Sequence, residues 1–141
     1  MLITARNIGG RKFEMQTRGH KVLVDQPADN QGTDSAMTPP ELFLSGVAAC
    51  AAYYAVEYLR ARGLPEDGLE IRVRAEKGDK PVRLTEFHID VIAPGLNQRH
   101  RDGILRAVDA CLLKNTLQRI PQITTQVASS ASVAEPEHVF A

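Results

Sequence analysis

The chain has 141 residues, with 17 Lys and Arg against 17 Asp and Glu, so its formal net charge is zero. This balance argues against a dedicated nucleic-acid binder, because such proteins need a surplus of basic residues to neutralise phosphates. With 43% hydrophobic and 24% charged residues, the composition is typical of a soluble globular protein, and we expect a single domain over residues 1–141.

Residues 2–26 have the pattern of short strands. Apolar and polar residues alternate from Phe13 to Thr17, and glycine-containing turns are predicted at Gly9-Gly10 and Arg18-Gly19. An antiparallel β-meander is therefore expected at the N-terminal end. The polar segment 27–37 follows without periodicity and is predicted to be a loop.

The clearest helix in the sequence begins after Thr38. Thr38 suits the N-cap, Pro39 suits the first helical position, and Glu41 stands three residues after the cap, which together form a capping box. We expect the helix to run to about Arg62, where Gly63 provides a stop signal. Its first half is apolar on nearly every side, which is typical of a central, buried helix.

A β-hairpin is predicted after this helix. Residues 69–75 alternate between apolar and charged side chains, residues 77–81 form the predicted turn, and residues 84–93 form the return strand. The alternation places Phe87, Ile89 and Val91 on the inward face of the return strand.

A second helix is predicted from about Asn97, followed by a last strand over residues 123–127. The apolar stripe of the helix comprises Ile104, Leu105, Val108, Cys111 and Leu112. The predicted order is therefore β-meander, long helix, β-hairpin, helix and strand. This order indicates an α+β fold in which helices pack against antiparallel sheet.

The cysteines and the apolar runs of the sequence bear on the compartment of the protein and on its association with membranes. Two cysteines are too few for a secreted disulfide scaffold, and the first ten residues lack the pattern of a signal peptide. The longest apolar tract, Val47 to Val56, is shorter than the ~20 residues that span a bilayer. These features predict a cytoplasmic protein that partners neither a membrane nor nucleic acid.

Cys50 and Cys111 are the candidates for chemistry, although buried cysteines often serve only as small apolar residues. Cys50 lies about three turns inside its helix, where the helix dipole has faded, so a reactive thiolate there needs an external cation. Arg6, Arg11 and Arg18 in the N-terminal strands are the available cations.

Other polar residues fit structural roles better than catalytic ones. Nine residues at ~100° each place Glu41 and Cys50 on opposite helix faces, so the carboxylate is interpreted as a cap. The four histidines have no zinc-ligand spacing, and no metal site is expected. The basic cluster at residues 99–101, together with Arg106, is interpreted as solvated helix surface.

Two segments resemble the OsmC/Ohr superfamily, whose members include osmotically inducible and organic-hydroperoxide-resistance proteins. The first is Thr-Pro-Pro-Glu-Leu-Phe-Leu-Ser-Gly-Val-Ala-Ala-Cys over residues 38–50, similar to the first-cysteine motif of the superfamily. The second is Asp-Ala-Cys-Leu-Leu-Lys-Asn-Thr-Leu over residues 109–117, similar to the second-cysteine segment.

The resemblance implies an intertwined homodimer in which Cys50 attacks an organic hydroperoxide and becomes a sulfenic acid. Cys111 then resolves this acid as a Cys50–Cys111 disulfide, which an external thiol or dithiol reduces. The resemblance implies no cofactor and no metal. By position, Arg11 is the match to the arginine that activates the first cysteine, with Arg18 second.

The sequence departs from the superfamily pattern at two positions, and whether the chain is an enzyme stays open. Pro40 stands where peroxidatic members carry a carboxylate that orients the arginine, and Leu112 stands where proline usually follows the second cysteine. The first hypothesis is a thiol-dependent peroxidase. The alternatives are a protein that binds a small apolar ligand or responds to redox state, which Pro40 favours, and a structural dimer with inert cysteines.

Overall fold

The computed structural model of the protein describes residues 1–129, which form five strands and three α-helices. The strands are β1 (Thr4–Gly9), β2 (Lys12–Thr17), β3 (His20–Val24), β4 (Glu70–Asp79) and β5 (Val82–Ile92). The helices are α1 (Pro39–Arg60), α2 (Gln98–Asp109) and α3 (Leu112–Gln118). This order confirms the predicted α+β fold with an N-terminal meander, a long helix and a hairpin.

The first three strands form an antiparallel sheet in the order β1-β2-β3, as predicted. Phe13 pairs with Val24 and Met15 pairs with Val22, so these four apolar side chains share one face of the sheet. Arg18 and Gly19 form the turn between β2 and β3, both with positive φ angles of 47° and 84°. Glycine takes such angles without strain, which explains its place in this turn.

Helix α1 begins as the capping box predicts. The Glu41 carboxylate accepts hydrogen bonds from the backbone N–H of Thr38 at 2.7 Å and from its hydroxyl at 2.9 Å. The hydrogen bond from the Thr38 N–H is the main reason that the pKa of Glu41 is lowered. The helix ends at Arg60, two residues before the predicted end, and the chain turns away at Gly63 with φ of 61°.

Helix α1 is long and apolar enough to cross a membrane when judged by length and composition alone. This corrects the sequence analysis, which considered only uninterrupted apolar runs. Core helices of soluble proteins pass the same test, and one face of α1 is buried within the protein. That face comprises Val47, Ala51, Ala55 and Leu59, spaced four residues apart.

The polar loop between β3 and α1 is organised around one buried carboxylate, that of Asp25, which is only 1% exposed. Its Oδ2 accepts hydrogen bonds from the hydroxyls of Thr33 (2.6 Å) and Ser35 (2.9 Å) and from the backbone N–H groups of both residues. Oδ1 accepts from the N–H of Gln26 at 2.8 Å. These bonds, above all that from the Thr33 hydroxyl, hold the pKa of Asp25 well below its usual range.

Asp25→Asn is expected to lower the melting temperature at neutral pH by several degrees, because an amide accepts these hydrogen bonds less strongly than a carboxylate. The folded-state pKa of Asp25 lies below the unfolded value of about 3.9, so its contribution to stability is complete above that value. The contribution is lost as the pH falls through the folded-state pKa.

Thermal unfolding of the wild type and of Asp25→Asn, at neutral pH and at a pH of about 3, would measure this effect. The difference between the two proteins should narrow at the lower pH. Asp34→Asn is a matched control, since Asp34 lies exposed in the same loop. A difference that does not change with pH would contradict the role given to the Asp25 carboxylate.

Strands β4 and β5 form a separate two-stranded sheet whose strands extend further than predicted. Residues 77–79, predicted as turn, pair with β5, and the connection is reduced to Lys80-Pro81. Phe87, Ile89 and Val91 are partly buried while Glu86, His88 and Asp90 are exposed, which confirms the predicted alternation.

The buried core lies where α1, α2 and the β4–β5 sheet meet. Its fully buried members are Ala51, Ala55, Leu59, Leu96, Ile104 and Val108. Partly buried side chains from the β4–β5 sheet, including Ile71, Ile89 and Val91, pack against them. Ala51 and Ala55 are small, which allows α2 and the β4–β5 sheet to pack closely against α1. The core therefore surrounds the second half of this helix.

The predicted apolar stripe of the second helix is confirmed in part. Ile104, Val108 and Cys111 are buried, but Leu105 is 52% exposed and Leu112 is 59% exposed. The prediction was wrong for these two leucines, because each is rotated about 100° from a buried neighbour and faces away from the core. Cys111 also lies beyond α2, which ends at Asp109, and forms the N-cap of α3, a helix that the sequence analysis did not predict.

The predicted strand over residues 123–127 is wrong. The residues between α3 and position 129 have no regular secondary structure, and Ile123 and Val127 are largely exposed. A strand requires a neighbour that pairs with its backbone, and no strand in the described part of the chain pairs with this segment.

Candidate functional site

The two cysteines, 61 positions apart in the sequence, lie near each other. Cys50 comes from α1, Cys111 comes from the N-cap of α3, and the Cys50 thiol is close enough to influence the pKa of the Cys111 thiol. Both thiols are free. The disulfide between Cys50 and Cys111 stays a prediction.

Helix α3 approaches α1 closely next to the cysteines. A Cβ added at Gly46, one turn before Cys50, would lie 3.6 Å from Cδ1 of Leu113. Backbone hydrogen bonds from Cys111 N–H to Val108 O (3.0 Å) and from Asn115 N–H to Cys111 O (3.0 Å) tie the cysteine to both α2 and α3. The position of Cys111 is thus fixed by the junction between two helices.

The two thiols differ in their surroundings. Cys50 is partly buried at the edge of the buried face of α1, whereas Cys111 is 0% exposed. Burial raises the pKa of the Cys111 thiol, and the nearby Cys50 thiol raises it further. Backbone N–H groups of Lys114 and Leu113 oppose this shift without cancelling it. Solvent and small molecules therefore reach Cys50 more readily than Cys111.

An apolar cavity of about 240 Å³, which neither cysteine lines, lies between α1, β5 and α3. Its lining includes Val47, one turn before Cys50, and Lys114, one turn after Cys111. The remaining lining residues are Phe87, Ile89, Leu117 and Gln118. Apart from the Lys114 amine and the Gln118 amide, the cavity offers hydrocarbon surface. The Lys114 amine is paired with Asp109.

The arginines expected to activate Cys50 lie elsewhere in the single chain. Arg11 is exposed at the turn between β1 and β2, where its Nη2 donates to Oε1 of Gln31 at 3.1 Å. Arg18 is exposed at the next turn and lines a cavity near Met1. Within residues 1–129, no hydrogen bond or ion pair joins either arginine to the cysteines.

Carboxylates and metal ligands add no further chemistry to the cysteine pair. Glu41 acts as the helix cap, in agreement with the sequence analysis, and Pro40 occupies the second helical position. In the part of the chain that the structure describes, no three His, Cys, Asp or Glu side chains cluster as a metal site would require.

Two residues of this region were not predicted from the sequence: Lys114, whose backbone N–H lowers the pKa of the Cys111 thiol, and Leu117, which lines the cavity. Both lie on α3, which has only seven residues and includes Asn115 and Thr116, two poor helix formers. The inward position of Phe87 was available from strand alternation, but its place beside Val47 depends on how the hairpin packs on α1. The capping box at the start of α1 indicates where the helix begins, but not which elements pack against it.

A family model described as OsmC-like protein matches residues 32–126, which is more than half of the chain. The matched range includes α1 with Cys50 and α3 with Cys111. The chain therefore belongs to the OsmC-like protein family. No curated protein matches the sequence significantly.

Solved structures share this fold at low sequence identity. An OsmC-like protein from Mycoplasma pneumoniae has a TM-score of 0.68 and 23% identity, covering 84% of this chain and 86% of its own. A protein from Psychrobacter arcticus, provisionally described as an osmotic stress induced and detoxification response protein, has a TM-score of 0.73 and 19% identity, covering 81% and 85%. The organic hydroperoxide resistance protein OsmC from Legionella pneumophila has a TM-score of 0.62 and 21% identity, covering 84% and 90%.

Proposed function

We propose that the protein is a thiol-dependent peroxidase that reduces organic hydroperoxides. The observation that carries the proposal is that two free thiols, one partly accessible and one buried, lie near each other, with an apolar cavity about one helical turn away. A structural dimer with inert cysteines would not need the two thiols to lie together. Family membership and the description of the Legionella structure agree with this chemistry.

In the proposed reaction, the Cys50 thiolate attacks the outer oxygen of the hydroperoxide. An S–O bond forms, the O–O bond breaks, and the leaving alkoxide takes a proton to become an alcohol. Cys50 is then a sulfenic acid, which is the first and reversible step of cysteine oxidation. The peroxide is reduced by two electrons and the sulfur of Cys50 is oxidised by two.

Cys111 completes the cycle as the resolving residue. Its thiolate attacks the Cys50 sulfur, the S–S bond forms, and the S–O bond breaks to release hydroxide, which takes a proton to become water. An external dithiol then reduces the disulfide by exchange. Backbone N–H groups of Leu113 and Lys114 lower the pKa of the Cys111 thiol and would stabilise the thiolate as it forms. No cofactor or metal is needed for this sequence of steps.

The apolar cavity favours organic hydroperoxides over hydrogen peroxide. Val47, Phe87 and Leu117 would contact the hydrocarbon part of a substrate, and each buried methylene group contributes about 0.8 kcal/mol to binding. Hydrogen peroxide has no such part. The substrate class is therefore proposed to be hydroperoxides with an apolar substituent.

We further propose that the protein acts as a homodimer. The apolar face of the meander, with Phe13 and Met15, faces Leu42 and Phe43 of α1 across an open cleft of about 340 Å³. Large apolar side chains of these elements, including Phe13 and Phe43, are well exposed in the single chain. Open apolar surface of this kind is typical of a subunit interface.

Arg11 remains the proposed activating cation, with Arg18 as the alternative. Because the single chain leaves both at exposed turns of the meander, we assign their approach to Cys50 to the dimer, in which the meander of one subunit would lie against the other subunit. A guanidinium beside Cys50 would stabilise its thiolate. Loss of peroxide reduction in Arg11→Gln with retention in Arg18→Gln would identify Arg11, and the reverse would identify Arg18.

The proposed function is tested by counting free thiols in the reduced protein before and after one equivalent of cumene hydroperoxide, with hydrogen peroxide in parallel. We expect rapid loss of two thiols per chain and a disulfide between Cys50 and Cys111, formed faster with the organic peroxide. Peptide mapping of the oxidised protein would identify the disulfide.

Survival of both thiols would overturn the peroxidase proposal. It would favour the second candidate function, in which the cavity beside Val47 and Lys114 holds a small apolar ligand without redox chemistry. That outcome would be consistent with Pro40 in place of the superfamily carboxylate. Cavity binding would then be measured with an environment-sensitive apolar dye, displaced by candidate ligands.

A further inference from the structure

A second cleft, larger than the cavity beside the cysteines, lies between the C-terminal half of α1 and helix α2. It is open to solvent and has a volume of about 760 Å³. Tyr58 from α1 and Arg62 from the following turn line one side, while Arg99, His100 and Arg106 from α2 line the other. Small-molecule sites in proteins have volumes of about 300–1,000 Å³, so the cleft is of suitable size.

Polar contacts connect the two sides of this cleft. The Tyr58 hydroxyl lies 3.2 Å from Nδ1 of His100, and the Arg62 guanidinium lies 3.8 Å from the centre of the Tyr58 ring. Gly103 makes room for the tyrosine, since a Cβ there would lie 1.9 Å from the Tyr58 hydroxyl oxygen. Glycine inside a helix costs about 0.5–1 kcal/mol relative to alanine, and here its absent side chain admits Tyr58 between the helices.

Positive charge is concentrated in this cleft although the whole chain is neutral. Arg62, Arg99 and Arg106 line it against a single carboxylate, that of Glu57, which also acts on Arg60 outside the cleft. Among residues 1–129, no carboxylate lies within 4.0 Å of any of the three cleft arginines. The basic residues 99–101 and Arg106 were predicted to be solvated helix surface. The sequence alone does not show that Arg62 and Tyr58 lie opposite them.

We propose that this cleft binds a small organic phosphate monoester. Arginine donates paired hydrogen bonds to phosphate oxygens, and a monoester carries a charge of about −1.5 to −2 at neutral pH, which matches an excess of two positive charges. The partly buried side chain of Tyr54 lines the same wall of the cleft and offers an aromatic surface for the organic group.

The phosphate cleft is separate from the cysteine pair. Of the cleft residues on α1, Tyr54 is nearest to Cys50, about 6 Å along the helix axis, and Tyr58 lies about 12 Å along it. None of the residues lining the cleft lines the cavity beside the cysteines. The inference therefore does not depend on the proposed peroxidase activity.

Isothermal titration calorimetry on the full chain, with phenyl phosphate as the probe, tests this inference. We expect saturable binding of one phenyl phosphate per chain, tighter than that of inorganic phosphate or benzoate. Arg99→Gln and Arg106→Gln should each weaken binding about tenfold, because each removes a charge-assisted hydrogen bond. Arg101→Gln is the matched control: it removes the same charge from the same helix but does not line the cleft.

Backbone and side-chain NMR resonances provide a second measurement that does not depend on the variants. Phenyl phosphate should shift resonances of Tyr58, His100 and Gly103. Absence of saturable binding, equal weakening by Arg101→Gln, or equal binding of benzoate would overturn the proposal. So would shifts confined to the region around Cys50.

Discussion

Replacing Cys50 with Ser is expected to reduce the rate of cumene hydroperoxide consumption by roughly a thousandfold or more, because removal of a catalytic nucleophile eliminates the covalent step. A serine hydroxyl is not ionised at neutral pH and does not attack the O–O bond at a useful rate. The measurement is peroxide consumption by the purified variant with excess dithiol. A wild-type rate in Cys50→Ser would rule out the proposed mechanism.

Cys111→Ser provides the matched control for this experiment, since it removes the second thiol and leaves Cys50 in place. This variant should consume about one equivalent of peroxide and then accumulate the Cys50 sulfenic acid, which dimedone traps for mass spectrometry. If Cys111→Ser, like Cys50→Ser, failed to consume the first equivalent of peroxide, Cys111 would have a role beyond resolving the sulfenic acid.

Leu59→Ala is expected to lower the free energy of unfolding by about 2–5 kcal/mol, the range observed when a buried leucine is truncated and leaves a cavity. Leu59 is 1% exposed and belongs to the core between α1, α2 and the hairpin. Neighbours such as Ala55 are too small to fill the space. Urea unfolding of the wild type and the variant measures the difference.

Leu105→Ala is the matched control for the core prediction, because it removes the same atoms from a side chain that faces away from the core. Its effect should stay within about 0.5 kcal/mol, as is typical of surface positions. Equal losses in the two variants would mean that Leu105 is buried in the protein in solution, and would favour an interface that covers the outer face of α2.

Local sequence signals predicted most of the fold. Thr38 and Glu41 identified the start of α1 because the hydrogen bonds of a capping box join residues three positions apart. The alternation of apolar and polar residues in the hairpin identified the buried face of β5. Both signals depend only on residues a few positions apart in the sequence.

The site depended on contacts that local signals do not contain. Cys50 and Cys111 were identified from the sequence as the candidates for chemistry, but their proximity depends on the close approach of α3 to Gly46. Leu105 and the predicted strand over residues 123–127 failed because apolar character alone does not determine which neighbour, if any, will cover a side chain or pair with a backbone.

In the proposed reaction cycle, the junction that holds Cys111 between α2 and α3 would link the oxidation state of the protein to its folding stability. A bond between the two thiols would close a loop of about 60 residues, and the entropy removed from the unfolded chain would amount to roughly 4 kcal/mol. That is a large fraction of the stability of a typical domain. The reduced chain would then be the more easily unfolded form, so reductant supply would govern both turnover and the lifetime of the protein in the cell.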